Sequence, residues 1–471
     1  MGNKASKQKN IKPSAKGQQK SKFDPEGNVV DTINPNEIER DFKWSQSNTT
    51  LFEIHQTFGK IYAIDARRTP DGVLVASADQ AGNVTITLIT GNKDKKGKIK
   101  PSCSLYAPKT VLPSAWVMAL ALSPSANRFV VGGLDNMVTV FDRKQGTDQV
   151  AYERKAELGG HEGYVSCLTF VERGHNKAES LVLSASGDHS VILWDVESRT
   201  RLLTISDTST QDIMCVDHLF IDNKHIIAIG DVDQNVHLLE ISASIPGFKP
   251  ATTATDDGDE KQAENAKDAM FRKQTLGNFK KDVNRVSFSP NGEFLAATSD
   301  DETYEIYYKN FSYGSYHNRP VLEWSFLCKR SFAKMDQELD DNVGKVGNTL
   351  KWVDNETLMV GAQESNKVYS TYIKREKSDS KMLEAVRGGV QSIMESLDEN
   401  RWMGLVDTLT NEIMQYFNEY DLFDYNYQFG KEATRISCMA HCKWGDAEHE
   451  DLFVFAGWDK KAHGVIPQSN P

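Results

Sequence analysis

The chain lacks several features that would assign it early. No run approaches the roughly 18 consecutive apolar residues of a membrane-crossing helix, and the first thirty residues hold no apolar core of a secretory signal. Neither membrane crossing nor secretion is therefore expected. Cysteine is sparse: Cys103, Cys167, Cys215, Cys328, Cys438 and Cys442 are spread over most of the 471 residues, without the density of a disulfide-stapled domain. Reduced thiols in a cytosolic setting follow. Cys438-Met-Ala-His-Cys442 groups three ligand types, but the spacing fits no standard zinc pattern and no second ligand pair stands nearby. It reads as two strand cysteines, and no metal or cofactor is expected. There is also no phosphate-binding glycine loop and no nucleophile motif, so the chain does not read as an enzyme.

Acid is missing from one place. Residues 1–22 contain seven lysines (Lys4, Lys7, Lys9, Lys12, Lys16, Lys20, Lys22) and no Asp or Glu, so this arm carries +7, and the remaining 449 residues carry −18 within a net charge of −11. An acidic body repels nucleic-acid phosphates, and the arm has no aromatic residue for base stacking. Nucleic-acid binding is not expected. The arm opens Met-Gly-Asn-Lys-Ala-Ser, the pattern for myristoylation of Gly2. One acyl chain binds membranes only marginally, and a polybasic stretch is the usual second signal, at up to ~1 kcal/mol per lysine near anionic lipid. The expected location is the cytoplasmic face of the plasma or an internal membrane, together with the cytoplasm; the plainer alternative is an unmodified, lysine-rich tail.

What is present is core material. Hydrophobic residues make up 39% and charged residues 26%, enough apolar content for a large folded body. At about 150 residues per domain the length suggests three domains, unless one repeat architecture absorbs it. Residues 159–205 supply such a repeat: Gly160-His161, an apolar strand from Tyr164 to Phe170, a second from Leu181 to Ser186, then Gly187-Asp188 and Val191-Ile-Leu-Trp-Asp195. This unit resembles a WD repeat, and the resemblance implies a hydrogen-bonded network of His161, Ser186, Asp188 and Trp194 that holds a four-stranded blade together. These residues are structural in that reading, despite their likeness to a hydrolase triad.

Weaker copies recur at residues 60–89, 115–142, 212–241, 282–308, 348–373, 389–417 and 434–467, with turn acids Asp79, Asp135, Asp233, Asp301, Asp407 and Asp459. Counting all units favours an all-β propeller of eight blades; treating residues 348–373 as part of an insertion gives seven. The stretch after Met382 also fits an amphipathic helix pair, since Val386, Val390, Ile393 and Leu397 follow at spacings of three and four, but its strand–turn–strand layout favours a blade. Residues 50–471 are assigned to the propeller, 1–49 to a disordered arm and linker, and about 245–279 to a disordered loop. The last unit lacks an outer strand. Thr50-Leu-Phe-Glu-Ile-His55 is expected to supply it and close the ring.

The segments Lys60-Ile-Tyr-Ala63, Trp116-Val-Met118, Gly132-Gly-Leu-Asp-Asn136, Gly163-Tyr-Val-Ser-Cys167, Thr298-Ser-Asp-Asp301 and Gly457-Trp-Asp459 resemble, in the same order, the β subunit of heterotrimeric G proteins. The resemblance implies that the narrow face of the propeller binds a GDP-bound Gα subunit through Lys60, Tyr62, Trp116, Met118, Leu134, Asn136, Tyr164, Asp212, Met214, Asp282, Asn284, Asp300 and Trp458. Aromatic and Met anchors ringed by acids suit such a role. The family's N-terminal helix pairs with a Gγ subunit as a coiled coil. Here residues 23–49 contain Pro25, Gly27 and Asn34-Pro35 and no heptad run, which argues against Gγ. The expected function is a non-catalytic, membrane-tethered, G-protein β-like subunit; the alternative is a membrane scaffold for kinases or trafficking components that is independent of G proteins.

The arm generates its own test. Gly2→Ala should move the protein from the membrane fraction to the soluble fraction, and replacing Lys7, Lys9 and Lys12 by Gln should weaken attachment in a salt-dependent way, most at low salt, where the lysine charges are least screened. Undiminished membrane recovery of Gly2→Ala would exclude the acyl anchor.

Overall fold

Strands such as Gly72–Asp79 are buried along nearly their whole length, which requires neighbours on both faces. The computed structural model provides them by arranging short antiparallel sheets around an axis. It describes residues 21–23, 29–32, 44–93, 99–111, 116–144, 150–171, 179–206, 208–221, 224–242, 272–277, 279–312, 321–332, 347–362, 367–375, 420–428, 436–444 and 451–469.

Seven sheets are present among these residues. Each runs from an inner strand beside the axis to an outer strand. Blade 1 is Ile61–Thr69, Gly72–Asp79, Asn83–Lys93 and Ile99–Thr110. Blade 2 is Val117–Leu122, Arg128–Gly133, Val138–Arg143 and Tyr152–Leu158. Blade 3 is Val165–Phe170, Leu181–Ser186, Val191–Asp195 and Thr200–Ile205. Blade 4 is Ile213–Ile221, Lys224–Asp231, Val236–Ser242 and Arg272–Leu276. Blade 5 is Val283–Phe288, Phe294–Ser299, Thr303–Ser312 and Val321–Ser331. Blade 6 is Gly347–Trp352, Thr357–Ala362, Lys367–Arg375 and Tyr420–Gln428, with Ser21–Phe23 and Val29–Thr32 added outside it. Blade 7 is Ile436–Lys443, Asp451–Gly457, Lys461–Ser469 and, from far earlier in the chain, Trp44–Gln56.

The inner strands neighbour one another in order, and that of blade 7 returns to that of blade 1, so the ring is closed. The outer strand of blade 7 includes the segment from Thr50 to His55, as the sequence implies. His55 then reaches into blade 1, where its ring nitrogens lie 2.8 Å from Thr87 Oγ1 and 2.6 Å from Ser77 Oγ. Burial pushes the His55 pKa down to about 4, against the opposing pull of Glu53, so the joint is neutral near pH 7.

Seven is the count that the repeats left open, but it is reached differently. Residues 348–373, the unit that could have been an insertion, form the three inner strands of blade 6. Residues 389–417, which read as a blade, lie outside the described residues, as does Asp407; the strands on either side of them pair directly, Ile373 opposite Leu422. Arg272–Leu276 falls in the stretch read as a loop and is the outer strand of blade 4. An outer strand is half solvated, so its apolar signal is weak.

Side chains alternate between the two faces of each blade. In blade 1, Leu74, Ala76 and Ala78 join the core shared with blade 2, and Val73 and Val75 join that shared with blade 7. The same pattern makes seven apolar cores, one per junction. It also separates the Cys438 and Cys442 thiols from His441. Both cysteines face the blade 1 junction, and His441 Nε2 lies 2.8 Å from Asp451. Among the described residues no three His, Cys, Asp or Glu side chains are placed to hold a metal ion.

Blade 3 contains the expected polar network with one substitution of role. His161 Nδ1 is 2.8 Å from Asp188 Oδ2, but its Nε2 is 2.7 Å from Ser184 Oγ, and Trp194 Nε1–H donates to that same hydroxyl at 2.8 Å. Ser186 instead accepts the Asp188 backbone N–H at 3.1 Å. Both serines occupy one face of the strand, since side chains repeat every two residues. Ser184 stands opposite Ile192, one period nearer Trp194. Ser184→Ala should therefore lower stability by about 1–3 kcal/mol, because it strips partners from two buried groups, and Ser186→Ala by about 1 kcal/mol or less. Urea denaturation of the two variants checks the order; equal losses would return the network to Ser186.

Candidate partner-binding face

Three local devices repeat at the end of the ring where the inner strands begin. The first, in the five blades where it is described, is the residue just before the inner strand. Its carbonyl accepts a backbone N–H from the turn between the second and third strands: Lys60 from Gln80 (2.8 Å), Trp116 from Leu134 (3.2 Å), Tyr164 from Gly187 (3.0 Å), Asp212 from Val232 (3.2 Å) and Asp282 from Asp300 (3.0 Å). These turns pack tightly on the strand start. A Cβ on Gly133 would come within 1.8 Å of the Trp116 carbonyl oxygen, and one on Gly187 within 2.5 Å of the Tyr164 ring.

The second device is a register irregularity near the start of every inner strand, after Ile61, Val117, Val165, Ile213, Val283, Gly347 and Ile436. A bulge leaves one residue out of the ladder and re-aims its side chain. The residues in that position include Tyr62, Met118, Met214 and Asn284. Ser166 and Ser437 hold it in two other blades, and their hydroxyls donate to the next inner strand, at the carbonyls of Ile213 (2.6 Å) and Ile61.

The third device is the turn itself. A left-handed residue follows Asp135, Asp188, Asp233, Asp301 and Asp459, namely Asn136, His189, Gln234, Glu302 and Lys460. In blade 1 the equivalent residue is Gly82, and Asp79 acts from three residues earlier, accepting the backbone N–H groups of Ala81 and Asn83 at 2.9 and 3.0 Å. Leu134, Asp300 and Trp458 occupy the position just before the turn acid.

These three devices place all thirteen predicted contact residues at one end of the ring: Lys60, Trp116, Tyr164, Asp212 and Asp282 before the strands; Tyr62, Met118, Met214 and Asn284 at the bulges; Leu134, Asn136, Asp300 and Trp458 in the turns. None is fully buried. Trp116 (41% exposed), Leu134 (48%) and Trp458 (36%) are the most open. The side chains form linked groups across blades. Lys60 Nζ lies 3.4 Å from the Trp458 ring centroid, and Tyr62 stacks on Trp116 with centroids 5.7 Å apart. Asn136 Nδ2 donates to the Glu162 carbonyl at 3.1 Å. The Tyr164 hydroxyl donates to Asp212 at 2.9 Å and touches Met214 Sδ, and Asn284 donates to Asp300.

Acids concentrate on the blade 4 and 5 side. Burial, then hydrogen bonding to Asp212 and the charges of Asp212 and Asp282, push the Tyr164 phenol up to about 12, so it stays a donor. Burial and the Asp300 charge raise the Asp282 carboxyl. One exposed apolar residue escaped the sequence reading. Phe58, 70% exposed, sits in the turn just before Lys60, where the well-marked repeat has Glu162. Only alignment of the weak first repeat on the strong third would have revealed it.

Fold and site together define a WD-repeat β-propeller with an aromatic and acidic face. The sequence profile described as "WD domain, G-beta repeat" matches residues 107–142, 152–195 and 272–307. All three matches begin on the outer strand of one blade and end in the next, as a ring closed by a borrowed strand requires. Curated relatives include proteins named guanine nucleotide-binding protein subunit beta. That of Arabidopsis thaliana is 28% identical over 255 residues, 53% of this chain and 56% of the relative. That of Dictyostelium discoideum is 34% identical over 158 residues, 33% of this chain and 39% of the relative. The chain thus spans about half, or less, of the length of the curated relatives it matches.

Exposure separates Trp116 from the structural tryptophans. Trp116→Ala should cost no more than ~1.5 kcal/mol of stability, the value of an aromatic pair, whereas truncating the buried Trp194 should cost ~3–5 kcal/mol. Melting curves of both variants decide; a large drop for Trp116→Ala would make it a packing residue.

Proposed function

We propose that this chain is a non-catalytic, G-protein β-like subunit whose thirteen-residue face holds a GDP-bound Gα subunit and releases it to signal. The observation that carries the reading is the convergence of those residues, carried over from the family resemblance, on one end of the ring through three repeated backbone devices. Exposed aromatic and Met side chains supply contact area at low entropy cost, and Asp212, Asp282 and Asp300 supply complementary charge for a basic partner segment. The similarity to proteins named as G-protein β subunits supports the same partner class. An acylated Gly2 and the lysine arm would tether the complex to an anionic membrane surface. A Gγ subunit is left out of the proposal, because the stretch expected to pair with it, residues 23–49, has no heptads and its last residues begin the outer strand of blade 7, Trp44–Gln56.

Nucleotide dependence is the discriminating test. Pull-down should recover GDP-loaded Gα and lose the activated form. Trp116→Ala should weaken the complex by ~2 kcal/mol or more, roughly thirtyfold in Kd, at nearly unchanged melting temperature. Failure to recover Gα in either nucleotide state would favour the scaffold reading, recovery that ignores the nucleotide would overturn the GDP-state preference, and full affinity of Trp116→Ala would remove that residue from the face.

A further inference from the structure

The axis of the ring carries a set of charges that the partner face does not use. The first laddered residue after each bulge is small or a thiol in six blades: Ala63, Ala119, Cys167, Cys215, Thr349 and Cys438. In blade 5 it is Arg285. Together with most of these residues, Arg285 lines the central channel, so a long cation projects among short neighbours. Its charge acts on the thiols of Cys215 and Cys438, and among the described residues no carboxylate pairs with it.

Two residues further along the neighbouring inner strand stands Lys351, which also lines the channel. The acids at that level are already engaged. Asp65 accepts the backbone N–H groups of Ala66 and Leu122 at 2.8 and 2.9 Å and lies 3.5 Å from Arg67. Asp217 accepts the backbone N–H groups of His218 and Phe288 at 2.9 and 2.8 Å. Burial raises its pKa against those bonds and against the charge of Lys351, which weakens it as a counter-ion. Thr349 and Ser287 also line the channel. Apart from the Asp65–Arg67 pair, the channel lining therefore holds two cations against Asp217, whose carboxylate the backbone has claimed, inside a body whose net charge is strongly negative.

From this geometry we propose that the central channel binds an oxyanion of the phosphate class between Arg285 and Lys351. The guanidinium fork matches two oxygens of a tetrahedral anion, and the ammonium supplies a second point charge. None of the thirteen face residues lines the channel, which extends instead to the exposed turn at Pro290 near the far ends of the inner strands. The ligand would enter from that side, and the site stands whether or not the face binds Gα.

Calorimetric titration of the full chain with inorganic phosphate near pH 7 tests the site. One saturable site is expected, weakened at least about tenfold by Arg285→Gln and by Lys351→Gln and less by Arg285→Lys, which keeps the charge but loses the fork. Replacing Lys7, Lys9 and Lys12 by Gln should leave the affinity unchanged, since those lysines are the other source of anion binding. A parallel titration with glycerol 3-phosphate separates the sources: binding of both probes indicates the phosphate group of a larger molecule, and binding of inorganic phosphate alone indicates the free anion. Absence of saturable binding to the unaltered chain, retained affinity in Lys351→Gln, or loss of binding in the arm variant would each overturn the proposal. Should Arg285→Gln melt many degrees lower, Lys351→Gln and Arg285→Lys decide.

Discussion

A four-stranded antiparallel sheet with apolar side chains on both faces cannot hide them alone, and each blade here is such a sheet. Val73 and Val75 face one neighbour while Leu74 and Ala76 face the other, and the same alternation occurs in the other blades. The only finite arrangement in which every face is covered is a ring. Stability is then held by seven junctions in common, and removing any blade uncovers two of them. This explains why the closing strand comes from a distant part of the chain. It also explains why His55, carried on that strand, is spent on hydroxyls of blade 1 and not on its own sheet.

The same constraint builds the face. A bulge near the start of the inner strand, at the end opposite its hairpin turn, recurs in all seven blades. The residue released from the ladder is free to serve contact or stapling. Tyr62, Met118, Met214 and Asn284 take the first course, and Ser166 and Ser437 the second. Chemistry at this end is thus variable on an invariant backbone, the condition under which propeller folds carry different partners.

Much of this was legible in the sequence because it depends on local signals. The inner and second strands are apolar runs closed by acidic turns, and the borrowed strand before Lys60 could be deduced from the missing one at the end. The rest was hidden for physical reasons. Outer strands such as Arg272–Leu276 are half solvated and read as loop. Ser184 and Ser186 share one face of a strand, so period alone could not say which meets Trp194. Asp79 looks like the other turn acids, and only the left-handed residue at Gly82 shows that it acts from an earlier position. Phe58 has no pattern around it to mark it as exposed.

The joint between blades 7 and 1 has a consequence in time. The Thr57 hydroxyl meets the Lys460 carbonyl across 403 residues of sequence. At roughly 5–20 residues per second of synthesis, roughly 20–80 seconds separate the appearance of the two partners. Throughout that interval the face of blade 1 that ends against blade 7, with Val73, Val75 and Ile89, has nothing to cover it. A newborn chain of this protein therefore passes through a period when its first blade is its stickiest part, and the arrival of blade 7 ends it.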